Sequence, residues 1–451
     1  IDKNETIAAV ATPPGKGGIG IIRMSGPQSL AIASSICGES PTPRIAKYCS
    51  FKDASGKILD KGIVLFFSGP ASYTGEDVIE LQGHGGQAVL NSMLEQTLQL
   101  GARLARPGEF TERAFHNNKL DLLQAEAVAD LIDSASSEAA NSALRSLNGE
   151  FSSRIENLLH ELIAIRVLVE GALDFPEEEI DIINTSDPSK KIEKSLESID
   201  SIISQARNGQ VLKEGINVAI IGAPNVGKSS LLNVLSQTNK AIVAPSPGTT
   251  RDIVEEKILI GGMPLHIVDT AGIRKTKDSV EQEGIERAKK AIDKADLVLL
   301  VREATPSAEL AECQISHLVP QEKPGIVIYN KIDLLDKPTL GNRPESDRPT
   351  VFLSAKTEEG LEGLKGKIKQ LMGITSPGEI VLPGRTRHIH ALEKASAALV
   401  KATNELKSKK PALELMAADL QLAQQCIETI TGKSTPEDLL GEIFSSFCIG
   451  K

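Results

Sequence analysis

Over the first hundred residues, apolar positions gather in short runs broken by Pro and Gly clusters. TIAAVA, GIGIIRMSG, GIVLFF and DVIELQG read as β-strands, and QAVLNSMLEQTLQL as a helix between strand regions, the pattern of a compact α+β domain. From about Leu120 the period changes. LDLLQAEAVADLIDSASSEAANSAL and IENLLHELIAIRVLVEGAL are long, rich in Ala, Leu and Glu, and apolar at helical spacing, as are ALEKASAALVKATNEL, LELMAADLQLAQQCIETI and PEDLLGEIF near the other end of the chain. Between these helical stretches, from Ile216, the runs INVAIIG, KILIGG, LHIVDT, DLVLLV, GIVIYN and TVFLSA alternate with helical segments, which predicts a mostly parallel, doubly wound sheet. The pattern therefore predicts a multidomain α/β protein. Residues 1–118 form an α+β domain, 119–212 and 374–451 the two parts of a discontinuous all-α domain that pack together, and 213–373 an inserted Ras-like α/β domain whose exit linker is ITSPGEI.

At 451 residues the chain exceeds what one hydrophobic core supports, which agrees with about three domains. With 40% hydrophobic and 24% charged residues it has no apolar run of the roughly 18 residues that a membrane span requires, so it reads as soluble, with no membrane partner. The five cysteines are odd in number, widely spaced and without a CxxC pair. Neither a disulfide framework nor a structural zinc site is indicated, and a cytoplasmic setting fits. A net charge of −10 argues against nonspecific coating of nucleic acid, and 3% aromatics with no Trp leaves few stacking platforms for single-stranded bases.

The chemistry concentrates in the inserted domain. GAPNVGKS at 222–229 matches GxxxxGK[ST] and stands between an apolar strand and an apolar helix. The backbone N–H groups of Asn225, Val226, Gly227, Lys228, Ser229 and Ser230 would cradle phosphates, Lys228 would neutralise β/γ charge, and Ser229 would ligate Mg²⁺. DTAG (Asp269, Thr270, Ala271, Gly272) ends the LHIVDT strand, where Asp269 would hold the metal through water and the Gly272 amide would approach the γ-phosphate. NKID supplies Asn330, Lys331 and Asp333. The Asp333 carboxylate can accept from the N1–H and 2-amino groups of guanine, donors that adenine lacks, so the site selects GTP. SAK (Ser354, Ala355, Lys356) follows a further strand and would offer an amide to the guanine O6. GTTRD at 248–252 occupies the place of a switch, with the Thr250 hydroxyl touching the metal. NKID alone is a commonplace loop; four motifs in this order, each at a strand end, are not.

A Gln that orients the attacking water follows the DTAG-type motif in Ras-like enzymes, but Ile273 stands here. Glu281, Glu283 and Glu286 lie at the start of a helix, where the dipole favours carboxylates whatever their role, and Arg251 and Arg274 sit in the two switches. These arginines either face the nucleotide or only solvent, and a monovalent cation can replace an arginine finger if the Asn225 side chain and carbonyls of 243–249 surround it.

Three other patterns are read as decoys. Gly15, Gly17 and Gly20 spell GxGxxG, but the β-like IIRMSG follows rather than a helix. His84 in QGHGGQ has no GxSxG partner and reads as a turn, and His388 with His390 is a lone HxH without further ligands.

The motifs at both ends of the chain add a resemblance to one family. ATPPGKGGIGIIRMSG, ARPGEFTERAF, GAPNVGKSS with GTTRD, DTAGIR, the EGIER helix and the terminal FCIGK make the chain resemble the MnmE (TrmE) tRNA-modification GTPases over nearly its whole length. The resemblance implies an N-terminal folate-binding domain that dimerises, a discontinuous helical domain and an inserted P-loop G domain. It also implies hydrolysis activated by K⁺ on Asn225 and the carbonyls of Ala244, Ser246 and Thr249, with Glu281 orienting water. A tetrahydrofolate such as 5-formyltetrahydrofolate would be held by Arg23, Glu80, Lys119 and Lys451, and Cys448 would take part in modification, although Phe447 and Ile449 beside it equally suit a buried thiol. Its partners would be tRNA and an MnmG-type FAD protein, and the product a wobble uridine carrying an aminomethyl or carboxymethylaminomethyl group at C5. The rival reading is a regulatory GTPase switch in ribosome or RNA assembly, for which a basic GxxG domain after the G domain is expected and not seen. A membrane-remodelling GTPase would need a basic amphipathic helix, which the sequence lacks.

Overall fold

The computed structural model describes residues 4–174, 187–238, 258–268, 289–304, 319–335, 348–373, 381–407, 412–433 and 435–450. They belong to two compact units, Ile1–Ala129 with Arg145–Ile199 and His390–Lys451, and Asp130–Leu144 with Asp200–Ile389.

The first unit contains a six-stranded sheet built from β1 (Ile7–Val10), β2 (Gly17–Ser25), β3 (Lys47–Lys52), β4 (Ile58–Phe67), β5 (Val78–Gly85) and β6 (Arg103–Leu104), in the order β3-β4-β5-β2-β1-β6. All neighbours are antiparallel except β1 and β6. Strand alternation sorts the side chains: Ala8, Ile22, Met24, Ile79 and Leu81 face a core closed by Ile32 and Ile36 of α1 (Ser29–Cys37) and by Leu90 and Met93 of α2 (Gln87–Gln99). Arg23 and Glu80, one position out of phase, face the other way, where Phe110 of α3 (Glu109–His116) packs on Ile7, Ala9 and Ala105.

Long helices complete this unit. In α6 (Glu150–Asp174) the buried Ile155, Leu158, Leu159, Leu162, Ile165 and Val169 recur every three or four residues and make one stripe that lies along the helix Leu413–Thr431. The helix Glu437–Ser445 brings Leu440, Ile443 and Phe444, with Phe447 beyond it, onto Leu122 and Ala125 of α4 (Leu122–Asp133) and onto Phe115. The stretch LDLLQAEAVADLIDSASSEAANSAL is two helices rather than one. α4 stops at Asp133 and α5 (Ser137–Leu147) begins after Ser134 has turned its hydroxyl back onto the Asp130 carbonyl and Ser136 has capped the Ala139 N–H. Serine side chains compete with the helix for its own backbone groups, which periodicity does not register.

The second unit carries β7 (Ile216–Ile221), β8 (Ile258–Ile260), β9 (Met263–Val268), β10 (Leu297–Glu303), β11 (Gly325–Asn330) and β12 (Thr350–Phe352), in the order β12-β11-β10-β7-β9-β8. All pairs are parallel except the β8–β9 hairpin. Both faces are covered, as parallel sheets require. Leu231, Leu235, Leu361, Leu364 and Ile368 close one side and Ala291, Ile292 and Ala295 the other. Strand order reverses direction between β7 and β10, the switch point at whose carboxyl edge such sheets bind ligands. Among the described residues no helix is long and apolar enough to cross a membrane, and no cluster of three His, Cys, Asp or Glu side chains could hold a metal ion.

Candidate nucleotide-binding site

The loop 222–229 leaves β7 at that switch point and runs into the helix Lys228–Thr238. Two of its glycines are fixed by close approach. A Cβ on Gly222 would stand 2.2 Å from the Val301 carbonyl oxygen, and one on Gly227, whose φ is +97°, would stand 2.2 Å from Asn330 Nδ2. Asn225 also adopts positive φ, 64°, and turns the backbone at the tip. Val226 is buried in the core, which anchors the loop, whereas Asn225, Ser229 and Ser230 lie at the mouth. Lys228 Nζ donates to the carbonyls of Gly222 and Ala223, 2.8 Å each. Burial of this ammonium pushes its pKa below the ordinary lysine value, so an anion beside it would be favoured.

The loops 330–333 and 354–356 meet the phosphate loop through one side chain. Asn330, at the end of β11 and buried, donates from Nδ2 to the Val226 carbonyl at 2.9 Å. Its Oδ1 accepts from the N–H of Lys331 at 2.8 Å and of Ala355 at 2.9 Å. Lys331 takes a left-handed φ of 68° and its ammonium lies 3.1 Å from Glu303 at the end of β10. Asp333 sits on the 3-10 turn Ile332–Leu334, and its Oδ1 accepts from Ser354 Oγ at 2.6 Å. That same hydroxyl accepts from the N–H of Lys356 and Thr357, 3.3 and 3.2 Å, so the buried Ser354 orders the loop and aims the carboxylate. The structure thus brings Asn225, Val226, Gly227, Lys228, Ser229, Ser230, Asn330, Lys331, Asp333, Ser354, Ala355 and Lys356 to one edge of one sheet. The expectations for Ala244, Ser246, Thr249, Thr250, Arg251, Asp269, Thr270, Ala271, Gly272 and Glu281 lie outside the described residues.

In the first unit Arg23 on β2 and Glu80 on β5 are register partners, and the guanidinium donates from Nε and Nη2 to Glu80 Oε1 at 3.0 and 2.8 Å. Arg23 Nη1 also donates to the Gly450 carbonyl at 3.3 Å, and the rings of Tyr73 and Phe110 lie about 6 Å beneath the guanidinium. Lys119 donates to the Pro70 carbonyl at 3.0 Å rather than to either of these residues. Lys451 lies outside the described residues. Cys448 is exposed, which corrects the alternative of a buried thiol: the chain turns so that Phe447 enters the core while Cys448 and Ile449 face out. Gly17 and Gly20 lie within β2, and His388 is buried at the start of a helix, with Nδ1 accepting from the Arg385 N–H at 3.2 Å.

Family comparison adds identity to this geometry. A model of the TrmE N-terminus, described as that of a GTP-binding protein, matches residues 6–119, and one of the MnmE helical domain matches residues 122–448. The tRNA modification GTPase MnmE of Saccharophagus degradans is 50% identical over 452 residues, 99% of each chain. The chain belongs to the MnmE family. The MnmE proteins of Neisseria meningitidis serogroup C and Hydrogenovibrio crunogenus are 49% and 50% identical, the first over 100% and the second over 99% of both chains. Among solved structures, a variant of Aquifex aeolicus Era bound to GDP·AlF4⁻ is 27% identical, covering 44% of this chain and 69% of that one with a TM-score of 0.27. Sequence reasoning for this MnmE chain missed three contacts: Asn330 as the tie among three loops, Ser354 as the group that aims Asp333, and the Gly450 carbonyl on Arg23. Each joins residues far apart in the chain, and only the position of Asn330 at a strand end hinted at its part.

Proposed function

We propose that this MnmE chain is a potassium-activated GTPase of tRNA modification that acts with an MnmG-type flavoprotein. Together they place an aminomethyl or carboxymethylaminomethyl group on C5 of the wobble uridine. The observation that carries the GTP reading is the Asn330 tie, which holds the phosphate loop and both base-recognition loops in one rigid frame. Gly222 and Gly227 keep that frame open to a phosphate chain where a Cβ would fill it, and an anion there would draw the Lys228 pKa back up towards its ordinary value. Asp333, with one oxygen fixed by Ser354, retains acceptor capacity for the two guanine donors. The Ser229 hydroxyl at the first turn of its helix suits Mg²⁺, with Thr250 and, through water, Asp269 as further ligands. Asn225 at the exposed loop tip suits K⁺ together with the carbonyls of Ala244, Ser246 and Thr249, and Glu281 is the residue for the attacking water.

Arg23 and Glu80 offer a preformed donor and acceptor pair for a pterin and a carboxylate, with Lys119 and Lys451 as further cations, and a bound tetrahydrofolate would supply the one-carbon unit. The exposed Cys448 is a candidate group in modification. A cytoplasmic homodimer joined through residues 1–118 completes the reading, with 119–212 and 374–451 as the helical domain and 213–373 as the G domain. Membership of a family whose members are named for tRNA modification favours this reading over a switch in ribosome assembly. GTP hydrolysis measured in Na⁺ and in K⁺ tests it. The wild type should run at least roughly tenfold faster in K⁺ and Glu281→Ala should lose that rate, whereas equal rates in the two salts would remove the potassium mechanism.

A further inference from the structure

The second unit contains a corner between α4 and α5 that holds three separate parts of the nucleotide-binding body. The Asp130 carboxylate at the end of α4 is buried, and its Oδ1 receives Lys213 Nζ at 2.6 Å and Arg385 Nη2 at 2.8 Å. Lys213 lies at the end of the helix Pro188–Glu214, three residues before β7, and Arg385 directly before the helix Thr386–Leu406. One carboxylate therefore clasps the chain where it enters the sheet and where it leaves. On α5, Ser142 Oγ donates to the Val381 carbonyl at 3.0 Å, and the next residue, Leu382, lies so near Gly209 that a Cβ there would meet its carbonyl oxygen at 1.7 Å.

The third contact reaches the β8–β9 hairpin. Its turn, Gly261 and Gly262, has positive φ at both positions, and the Glu138 side chain of α5 covers Gly262 while the Lys369 stem covers Gly261. From this turn β9 runs parallel to β7, from Met263 to Val268, so it begins at the corner and ends at the edge that carries the phosphate loop. At its near end β9 is also tied to the entry helix, through His266 Nε2 on the Glu214 carbonyl at 2.8 Å and Pro264 against Gly215. The residue after Val268 is Asp269, the first of DTAG. A six-residue strand spans about 20 Å, so within one element β9 joins the nucleotide edge of the sheet to the hairpin turn at the corner.

We infer that the α4–α5 corner, acting through Glu138 at the hairpin turn and the Asp130 clasp on Lys213 and Arg385, couples the state of the nucleotide to the two chain crossings. These are positioning residues; none belongs to the nucleotide site. The inference rests on the nucleotide reading above, and coupling is reciprocal, so exchanging GDP for a GTP analogue must alter the corner itself. Amide hydrogen exchange of peptides covering 130–144, in the full chain with Mg²⁺ and either GDP or a non-hydrolysable GTP analogue, is the test, with affinity for each nucleotide titrated in parallel.

The wild type should show about a fivefold difference in exchange between the two nucleotides. Asp130→Asn and Glu138→Ala should each reduce that difference by at least about half while nucleotide affinity stays within about threefold. Glu138 is exposed, so its variant decides the matter even where Asp130→Asn does not fold. Tight binding of both nucleotides with no difference at the corner, or a full difference in Glu138→Ala, would overturn the coupling and leave the GTP reading standing. Failure to bind either nucleotide would overturn both.

Discussion

Two of the three hydrogen bonds of the Asn330 amide, to the Val226 carbonyl and from the Ala355 N–H, are made where water is excluded, so their worth lies as much in what their loss leaves behind as in the bonds themselves. Asn330→Ala strands the Val226 carbonyl and the Ala355 N–H, and should destabilise the second unit by about 3 kcal/mol, read as a lower Tm together with weaker binding of a GTP analogue. Asp333→Asn keeps the fold but swaps an acceptor for a donor. Guanine nucleotide affinity should fall by roughly a hundredfold or more while xanthine nucleotides, which present a carbonyl in place of the 2-amino group, gain, as competition binding would report. The motif spelling alone pointed to Asp333, which the structure sets on the turn Ile332–Leu334 against Ser354. The Asn330 contacts were not legible in the chain, because Val226 lies 104 residues away and only the folded sheet brings it near. Thiol reactivity separates in the same residue-by-residue way. Burial, then a hydrogen bond with Cys49, pushes the Cys37 thiol well above the ordinary range, and burial raises Cys426, whereas Cys448 is exposed. Iodoacetamide at neutral pH should therefore label Cys448 at least about tenfold faster than Cys37, as peptide mass spectrometry would show.

Elements were legible where an apolar run is unbroken or its burial follows one period. GIVIYN coincides with β11 as a short continuous apolar run buried on both faces, and IENLLHELIAIRVLVEGAL lies within α6 because its apolar positions recur at helical spacing. The edge strands β3 and β6 were not: KYCSFK shows no clean alternation, and β6 is two residues long. The charged element α3 was also opaque, since its Glu109 is buried entirely and no periodicity argument places a carboxylate in a core. What keeps it there is Arg103 of β6, which donates to both Glu109 oxygens at 2.7 and 3.1 Å, and the Arg106 N–H at 2.7 Å. Burial alone would raise the Glu109 pKa, but these hydrogen bonds outweigh it and hold the carboxyl below the usual glutamate range. A depressed folded value means that the stabilisation is complete above the unfolded pKa near 4.5 and drains away as pH falls through the folded value. Glu109→Gln should therefore lower stability by about 3 kcal/mol at pH 7, and the gap from wild type should narrow as unfolding is followed down through the acid range below the usual glutamate value.

At the scale of the whole molecule, the chain pattern showed that an α/β body interrupts a helical one, but not that residues 130–144 and 200–214 cohere with the sheet that follows them. Helical periodicity reports which face of a helix is buried and is silent on the partner, so a long helix such as Pro188–Glu214 belongs partly to one unit and partly to the other without a mark in the sequence. Two units with separate cores should unfold as two cooperative steps rather than one. Phe444 distinguishes them. It is buried in the first unit between Phe115 and Phe447, with ring centroids 6.2 and 5.6 Å away, and takes no part in the sheet that carries the phosphate loop. Truncation to alanine leaves a cavity among these rings and should cost about 3–5 kcal/mol. In scanning calorimetry Phe444→Ala should lower one transition and leave the other in place, and a GTP analogue at about a hundred times its Kd should raise the unmoved transition by the equivalent of about 2.7 kcal/mol. A variant that lowered both steps together, or a nucleotide that raised the step shifted by Phe444→Ala, would mean that the first and last segments of the chain do not form a body with its own stability.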